Sequence, residues 1–318
     1  MVSKLPKQVD ARLVFGFENS DDAAVIELDE HRYLINTVDF FTPIYHDPYV
    51  FGQIASANAL SDIYAMGGTV LNCLNILSFP SEVNENIISE ILRGAYDKVN
   101  EANGVIAGGH TISTDHIIYG LSVNGLVEKS KLKTNSGALP QQKLILTKKI
   151  GTGIYSKEIN INKDAEDCQE VVKSMITLNK KACEIMHKYR VSAVTDITGF
   201  GLVGHLCEVA LASNVSITIY LDSIPLFKRT RELALKYPNG GMKRNFAHFS
   251  KYVEISHNIN SQENINILFD PQTSGGLLIV VDETDADKLL HDLHQEGITA
   301  ASIIGETTIL TDKHLKVK

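Results

Sequence analysis

Residues Phe51 to Gly68, FGQIASANALSDIYAMGG, constrain the fold more than any other stretch of the chain. Small and apolar residues fill it, and Gly67-Gly68 closes it, so it reads as one helix around which the rest is organised. Its only charged residue is Asp62. Asn58 lies four positions earlier and shares a helical face with it. No Lys or Arg occurs in the stretch, and a carboxylate among Ile54, Leu60, Ile63 and Met66 is costly to bury without a cationic partner. Two readings stand: a carboxylate at a partly wet edge, or a metal ligand.

With 318 residues the chain is long enough for two domains. The formal net charge of −8 argues against a general nucleic-acid binder, which normally shows a basic face. It leaves nucleotides open, because acidic clusters hold Mg²⁺ and Mg²⁺ carries phosphates. Cys73, Cys168, Cys183 and Cys207 are scattered without a C-x-x-C pair, which favours reduced thiols over a disulfide framework or a zinc site. The first residues, MVSKLPKQVD, lack the apolar core of a signal peptide, and the longest uncharged stretches are broken by Gly, Ser or Asn, so no membrane span is expected. A cytoplasmic location without a membrane partner is expected.

Apolar runs at 13–17, 23–28 and 33–38 predict strands, the last two joined by the charged turn 29–32. A strand over 70–77, an amphipathic helix over 85–103 and a strand over 117–127 follow. The polar segment KSKLKTNSGALPQQ marks a junction, giving domains at 1–141 and 142–318. In the second half strands are expected at 143–147, 191–194, 215–221 and 277–281. Helices are expected at 165–189, 202–212 and 286–296, with a glycine-rich loop at 237–245. Alternating strands and helices, with hairpins in the first half, suggest a pair of α+β or α/β domains.

Asp21-Asp22, Asp39 and Asp196 stand at the ends of apolar strands, and Asp62 on the central helix. Ligands are usually held beyond strand ends in layered α/β structures. Gathered carboxylates repel unless a divalent cation shares them, and oxygen donors without a His/Cys cluster point to Mg²⁺. Singly, each Asp reads equally as a turn former, cap or surface charge. Three glycine loops could meet phosphate: Thr195 to Gly201, Gly108-Gly109-His110-Thr111, and Thr273 to Gly276, the last also readable as a tight turn. None is a Walker or G-x-G-x-x-G pattern. Lys148-Lys149 reads as a phosphate contact or a solvated turn, His110 as a structural residue or a phosphate donor or base, and His205 as a satisfied core or cap residue.

Taken together, SDDAAV, TVDFFTPIYHDPYVFGQIASANALSDIYAMGG, AGGHTI, TDITGFGLVGHL and FDPQTSGGLL, in this order, closely resemble selenophosphate synthetase (selenide, water dikinase). That family belongs to the aminoimidazole ribonucleotide synthetase superfamily, and the resemblance runs from about Leu13 to the C-terminus. It implies conversion of ATP, selenide and water to selenophosphate, phosphate and AMP. It also implies a two-domain α+β/α/β architecture in which N-terminal strands form a shared barrel in a homodimer and a C-terminal α/β domain closes over ATP. Carried over residue by residue, Asp22, Asp62 and Asp196 are implied Mg²⁺ ligands, and Asp39 faces the metal–nucleotide cluster. Asn19, Ser20, Asp21, Gly109, His110 and Thr111 are implied to line the nucleotide, with K⁺ as a further implied ion.

Two departures from the family stand out. Members carry, ahead of the region matched by Leu13, a glycine-rich loop with a reactive Cys or selenocysteine and a nearby Lys. Lys4, Lys7 and the four Cys match none of these, so the resemblance assigns no catalytic residue within this chain. A trimmed segment, a reading frame begun downstream of a selenocysteine codon, and a homologue without the nucleophile all fit. The second departure is Met242 in NGGMKRN, where the family commonly has a hydroxyl. Rival readings are another ATP-using member of the superfamily, such as a thiamine-phosphate kinase, and a non-catalytic nucleotide-binding homologue.

Overall fold

The computed structural model describes residues 10–16 and 21–318. The chain divides into two compact units at Thr134–Asn135, within the polar segment 129–142.

The first unit contains β1 (Leu13–Phe15), β2 (Ala24–Glu27), β3 (Arg32–Phe41), α1 (Pro48–Ala65), β4 (Thr69–Phe79), α2 (Glu85–Glu101), β5 (Val105–Ser113) and β6 (Ile118–Glu128). The strands form one sheet in the order β1-β2-β3-β6-β4-β5. Alternation sorts its two faces. Ile35, Cys73, Leu77, Tyr119, Leu121 and Val123 are buried on the side that carries the helices. On the other side Val38, Phe40, Leu74 and Ile112 stay between 40% and 54% exposed.

Helix α1 begins earlier than its apolar run. Asp47 caps it by accepting from the Val50 N–H at 3.0 Å, and Pro48 occupies its first turn, where a missing N–H does no harm. Thirteen of its 18 residues are buried, because the sheet covers one side and α2 the other. The two helices meet backbone to backbone. A Cβ on Gly52 would lie 2.0 Å from the Ile91 carbonyl oxygen, and one on Gly94 would lie 2.0 Å from that of Tyr49.

One expected loop is a strand. Gly108 to Thr111 runs inside β5, paired in parallel with Leu74 to Leu77 of β4 after a bulge. Gly109 is required there: its φ is 155°, and a Cβ would come within 2.3 Å of the Asn75 carbonyl oxygen.

The second unit contains, in order, β7 (Gln142–Leu146), α3 (Thr152–Tyr155), α4 (Glu158–Ile161), α5 (Glu166–Ile176), α6 (Lys180–Met186), β8 (Val191–Asp196), α7 (Gly201–Ser213) and β9 (Val215–Ile219). It continues with α8 (Thr230–Lys236), α9 (Gly240–Phe249), β10 (Val253–Ile255), α10 (Gln262–Leu268), β11 (Leu277–Asp282), α11 (Glu283–Gln295), β12 (Ser302–Ile309) and β13 (Leu315–Val317). The sheet order is β10-β13-β9-β12-β7-β11-β8. Next to edge strand β8, β11 runs antiparallel to both neighbours, with Leu277 opposite Asp196 and Leu278 opposite Leu146. Asp196, the 273–276 turn and Thr147-Lys148 therefore share one end of the sheet.

Two expectations are corrected here. The single helix over 165–189 is broken at Thr177–Asn179, where Lys148 Nζ draws the Thr177 carbonyl out at 2.6 Å and Asn179 Nδ2 donates to the Gly275 carbonyl. The glycine-rich segment 237–245 is largely helix α9, because Asn239 caps it through the Met242 N–H at 2.9 Å. Among the described residues no helix is long and apolar enough to cross a membrane.

The α1–α2 crossing yields a test. Gly52→Ala places a methyl against a backbone oxygen and is expected to destabilise the chain by about 1–3 kcal/mol in urea denaturation, the usual range for overpacking. An unchanged midpoint would mean that the helices do not meet this closely.

Candidate functional site

In the first unit, α1 and β3 bring two carboxylates together through matched spacings. Alternate strand residues are about 6.8 Å apart and residues one helical turn apart rise about 6 Å, so two rungs can form between one strand and one helix. They do. Thr37 Oγ1 donates to Asp62 Oδ2 at 2.5 Å, and Asn58 Nδ2 donates to Asp39 Oδ2. The helix supplies Asn58 and Asp62, and the helix-facing side of β3 supplies Thr37 and Asp39. Both of these donors are neutral, so each orients its carboxylate without adding positive charge.

Asp21 and Asp22 enter the sheet just before β2, whose Ala24 pairs with Asn36. This antiparallel register brings the chain in beside Thr37 to Asp39. Asn19 and Ser20 lie outside the described residues. Gly109, His110 and Thr111 are on edge strand β5, separated from β3 by β6 and β4. At about 4.8 Å per strand, that is roughly 14 Å across the sheet. His110 is in register with Ile76 and exposed on the face away from the helices. Asn75 props this segment from within: Tyr119 Oη donates to its Oδ1 at 2.6 Å.

In the second unit Asp196 ends β8 and is 2% exposed. The loop after it is fixed from several sides. His205 is buried in α7 and its Nε2 accepts from the Thr198 N–H at 3.1 Å, while Nδ1 faces Glu208 at 3.3 Å. This hydrogen bond requires an unprotonated Nε2, so His205 is a structural cap for the loop. Gly201 has φ of 72°, and a Cβ there would meet the Asp270 carbonyl oxygen at 2.6 Å. Phe200, half exposed, stacks edge-on against Phe249 at 5.6 Å.

The FDPQTSGG segment turns its polar side chains inward. Asp270 is fully buried, and Gln272 is 4% exposed. Burial pushes the Asp270 carboxyl up to about 7, against the opposing pull of hydrogen bonds from Ile154, Gln272 and Asn239. Lys148, read from sequence as a phosphate contact or a solvated turn, is buried and donates to the carbonyls of Thr177 and Ser274. Met242 acts as a cap partner, its sulfur accepting from the Asn239 N–H at 3.4 Å.

Among the described residues no three His, Cys, Asp or Glu side chains stand close enough to share a metal ion. Asp22, Asp39 and Asp62 in the first unit, and Asp196 in the second, each offer only hard oxygen, which suits Mg²⁺ and not zinc. Thr37, as the partner of Asp62, and Asp270 were missed by sequence reasoning. The signal for Thr37 was its i, i+2 relation to Asp39. All four cysteines are buried, and desolvation pushes the thiols of Cys73 and Cys207 up to about 12.

This fold, with Asp39 inside β3 and not at its end as the sequence suggested, is that of the AIR synthase related proteins. The N-terminal domain of that family matches residues 20–127 and its C-terminal domain residues 140–318. A thiamine-monophosphate kinase from Stenotrophomonas maltophilia superposes with a TM-score of 0.69, covering 97% of this chain and 92% of that one at 17% identity. Hydrogenase maturation protein HypE in complex with ATP gives 0.68, at 14% identity over 94% of this chain and 85% of that one. At such identities these two speak for the fold alone. Sequence goes further. "Selenide, water dikinase" of Clostridioides difficile is 44% identical over 100% of this chain and 92% of its own length. "Selenide, water dikinase 2" of Peptoclostridium acidaminophilum is 46% identical over 98% and 90%. The chain belongs to the selenide, water dikinase family.

The buried thiols give a direct check. In the native chain all four cysteines are expected to resist a thiol reagent at pH 8 and to react together after denaturation. A thiol that reacts rapidly in the native chain would contradict their placement.

Proposed function

We propose that this chain carries out ATP-dependent synthesis of selenophosphate from selenide and water, releasing AMP and phosphate. The observation that carries the reading is identity above 40% to selenide, water dikinases over essentially the whole chain, beside the paired carboxylates of α1 and β3. The kinase alternative rests on likeness at 17% identity, which concerns fold and not substrate.

The residues have distinct tasks in this reading. Asp22 and Asp62 in the first unit and Asp196 in the second hold Mg²⁺, with Asp39 alongside. The bound cation offsets the charge of the triphosphate, which otherwise repels an anionic selenide. Thr37 and Asn58 keep the carboxylates of Asp62 and Asp39 in fixed rotamers, so no reorganisation is needed when substrate arrives. Asn19, Ser20, Asp21, Gly109, His110 and Thr111 line the nucleotide, and K⁺ is a further ion of the site. With β3 and β5 roughly 14 Å apart, the two groups would meet different parts of the nucleotide, or would belong to different copies of the chain.

The second arrangement suits a homodimer. Val38, Phe40, Leu74 and Ile112 leave an apolar sheet face uncovered, and covering it with the same face of a second copy would form the shared barrel. Phe40→Asp is expected to yield monomers by size-exclusion chromatography with light scattering at micromolar concentration. A dimer retained unchanged would place the interface elsewhere.

The activity test is anaerobic ³¹P NMR with ATP, Mg²⁺, K⁺ and selenide. A selenophosphate resonance rising with AMP is the expected result. In that assay Asp62→Asn should slow turnover by about 100-fold or more, because a metal ligand is lost. ADP as sole product would overturn the assignment in favour of the kinase branch.

A further inference from the structure

The second unit contains a buried polar framework that ligand binding does not account for. Asp270 Oδ2 accepts from the Ile154 N–H at 3.1 Å and from Gln272 Nε2 at 2.8 Å, while its Oδ1 accepts from Asn239 Nδ2 at 3.3 Å. Gln272 Oε1 accepts from the Gly151 N–H at 2.8 Å, the Thr152 N–H at 3.0 Å and the Thr152 hydroxyl at 3.1 Å. The Gln272 N–H donates to the Thr198 carbonyl at 2.9 Å. Asn245 Nδ2 spans the Gly199 and Phe269 carbonyls at 3.0 and 3.1 Å. The fit leaves no slack: a Cβ on Gly153 would lie 2.5 Å from Asp270 Oδ1, and one on Gly275 would lie 2.0 Å from the Ile197 carbonyl oxygen.

Segments 151–154 and 239–245 therefore hang on the Asp270 and Gln272 side chains, while 197–201 is tied to the same turn by the Gln272 main-chain N–H and to 239–245 by the Asn245 side chain. Segment 197–201 is the glycine loop that follows Asp196. We infer that Asp270 and Gln272 are positioning residues, which lock these segments together and so hold the Asp196 carboxylate in one attitude toward its cation. The inference deepens the proposed role of Asp196 and rests on it.

Carboxylate chemistry makes Asp270 hard to replace. Its three side-chain and backbone partners named above are all donors, so an amide in its place must turn an NH₂ against at least one of them. Asp270→Asn keeps the size and loses that match.

Hydrogen exchange separates positioning from general stability. In Asp270→Asn, amides of 151–154 and 197–201 should exchange about 10-fold faster or more, an opening penalty set by the lost buried hydrogen bonds, while β7 and β11 keep their protection. The affinity for Mn²⁺ beside a non-hydrolysable ATP analogue, read by electron paramagnetic resonance, should fall about 10- to 100-fold, as for other groups that orient a metal ligand. Even acceleration throughout the unit, or no acceleration, would overturn the inference. Should Asp270→Asn not accumulate as folded protein, Asn245→Ala is read in the same way, with a smaller shift confined to 197–201; no shift there would also overturn it. Asp196→Asn separates the two ideas. Unchanged Mn²⁺ affinity in that variant overturns the metal role of Asp196, while the exchange pattern still decides whether Asp270 holds the loops.

Discussion

Two hydrogen bonds between one helix and one strand hold the site in the first unit: Thr37 to Asp62 and Asn58 to Asp39. Much else in that unit serves to make them possible. A helix can bring carboxylate and amide to a sheet this closely only if its other residues are small, which explains the run of Ala, Ser and Gly in α1. The Gly52–Gly94 crossing brings α2 against its far side and completes the burial. Carboxylates partnered by neutral donors keep their negative charge for an incoming cation, whereas a lysine or arginine in place of Thr37 or Asn58 would cancel it.

The second unit solves a different problem by the same means. Glycine loops are mobile unless tied, and the loop after Asp196 would need to be still to serve the role proposed for it. Here the ties come from underneath, through buried Asp270, Gln272, Asn245 and His205. Each of the first three accepts from or donates to main-chain groups of a segment far away in sequence, so the loops fix one another. Buried polar groups satisfied in this way rigidify a site at little net loss of stability.

Much of this was legible from the sequence. Strongly periodic or continuous apolar runs gave most strands, α2, α7 and α11, and the order of motifs pointed to the family. The failures share a cause: local composition was overridden by partners distant in the chain. Glycines at 108–109 suggested a loop, but pairing with β4 keeps them in a strand. The helix expected through 165–189 breaks because Lys148 and Asn179 engage backbone groups near Thr177 and Gly275. Glycines at 240–241 suggested a loop until Asn239 provided a cap. In the site, Asp62 and Asn58 could be paired by helical spacing. Their partners on β3 could not, since no sequence rule gives the register between a strand and a helix packed on it. Asp270 carried no individual signal in the sequence, and only its burial and hydrogen bonds reveal its role.

In the proposed reaction the oxygen donors of Asp22, Asp62 and Asp196 bind the cations that accompany ATP. A crystal structure with Mn²⁺ and a non-hydrolysable ATP analogue, with Mn located by anomalous scattering, measures this directly. Anomalous peaks within about 2.3 Å of carboxylate oxygens of these three residues are predicted, the distance expected for a hard divalent cation of this size. Manganese bound only elsewhere, with these carboxylates free of metal, would contradict it.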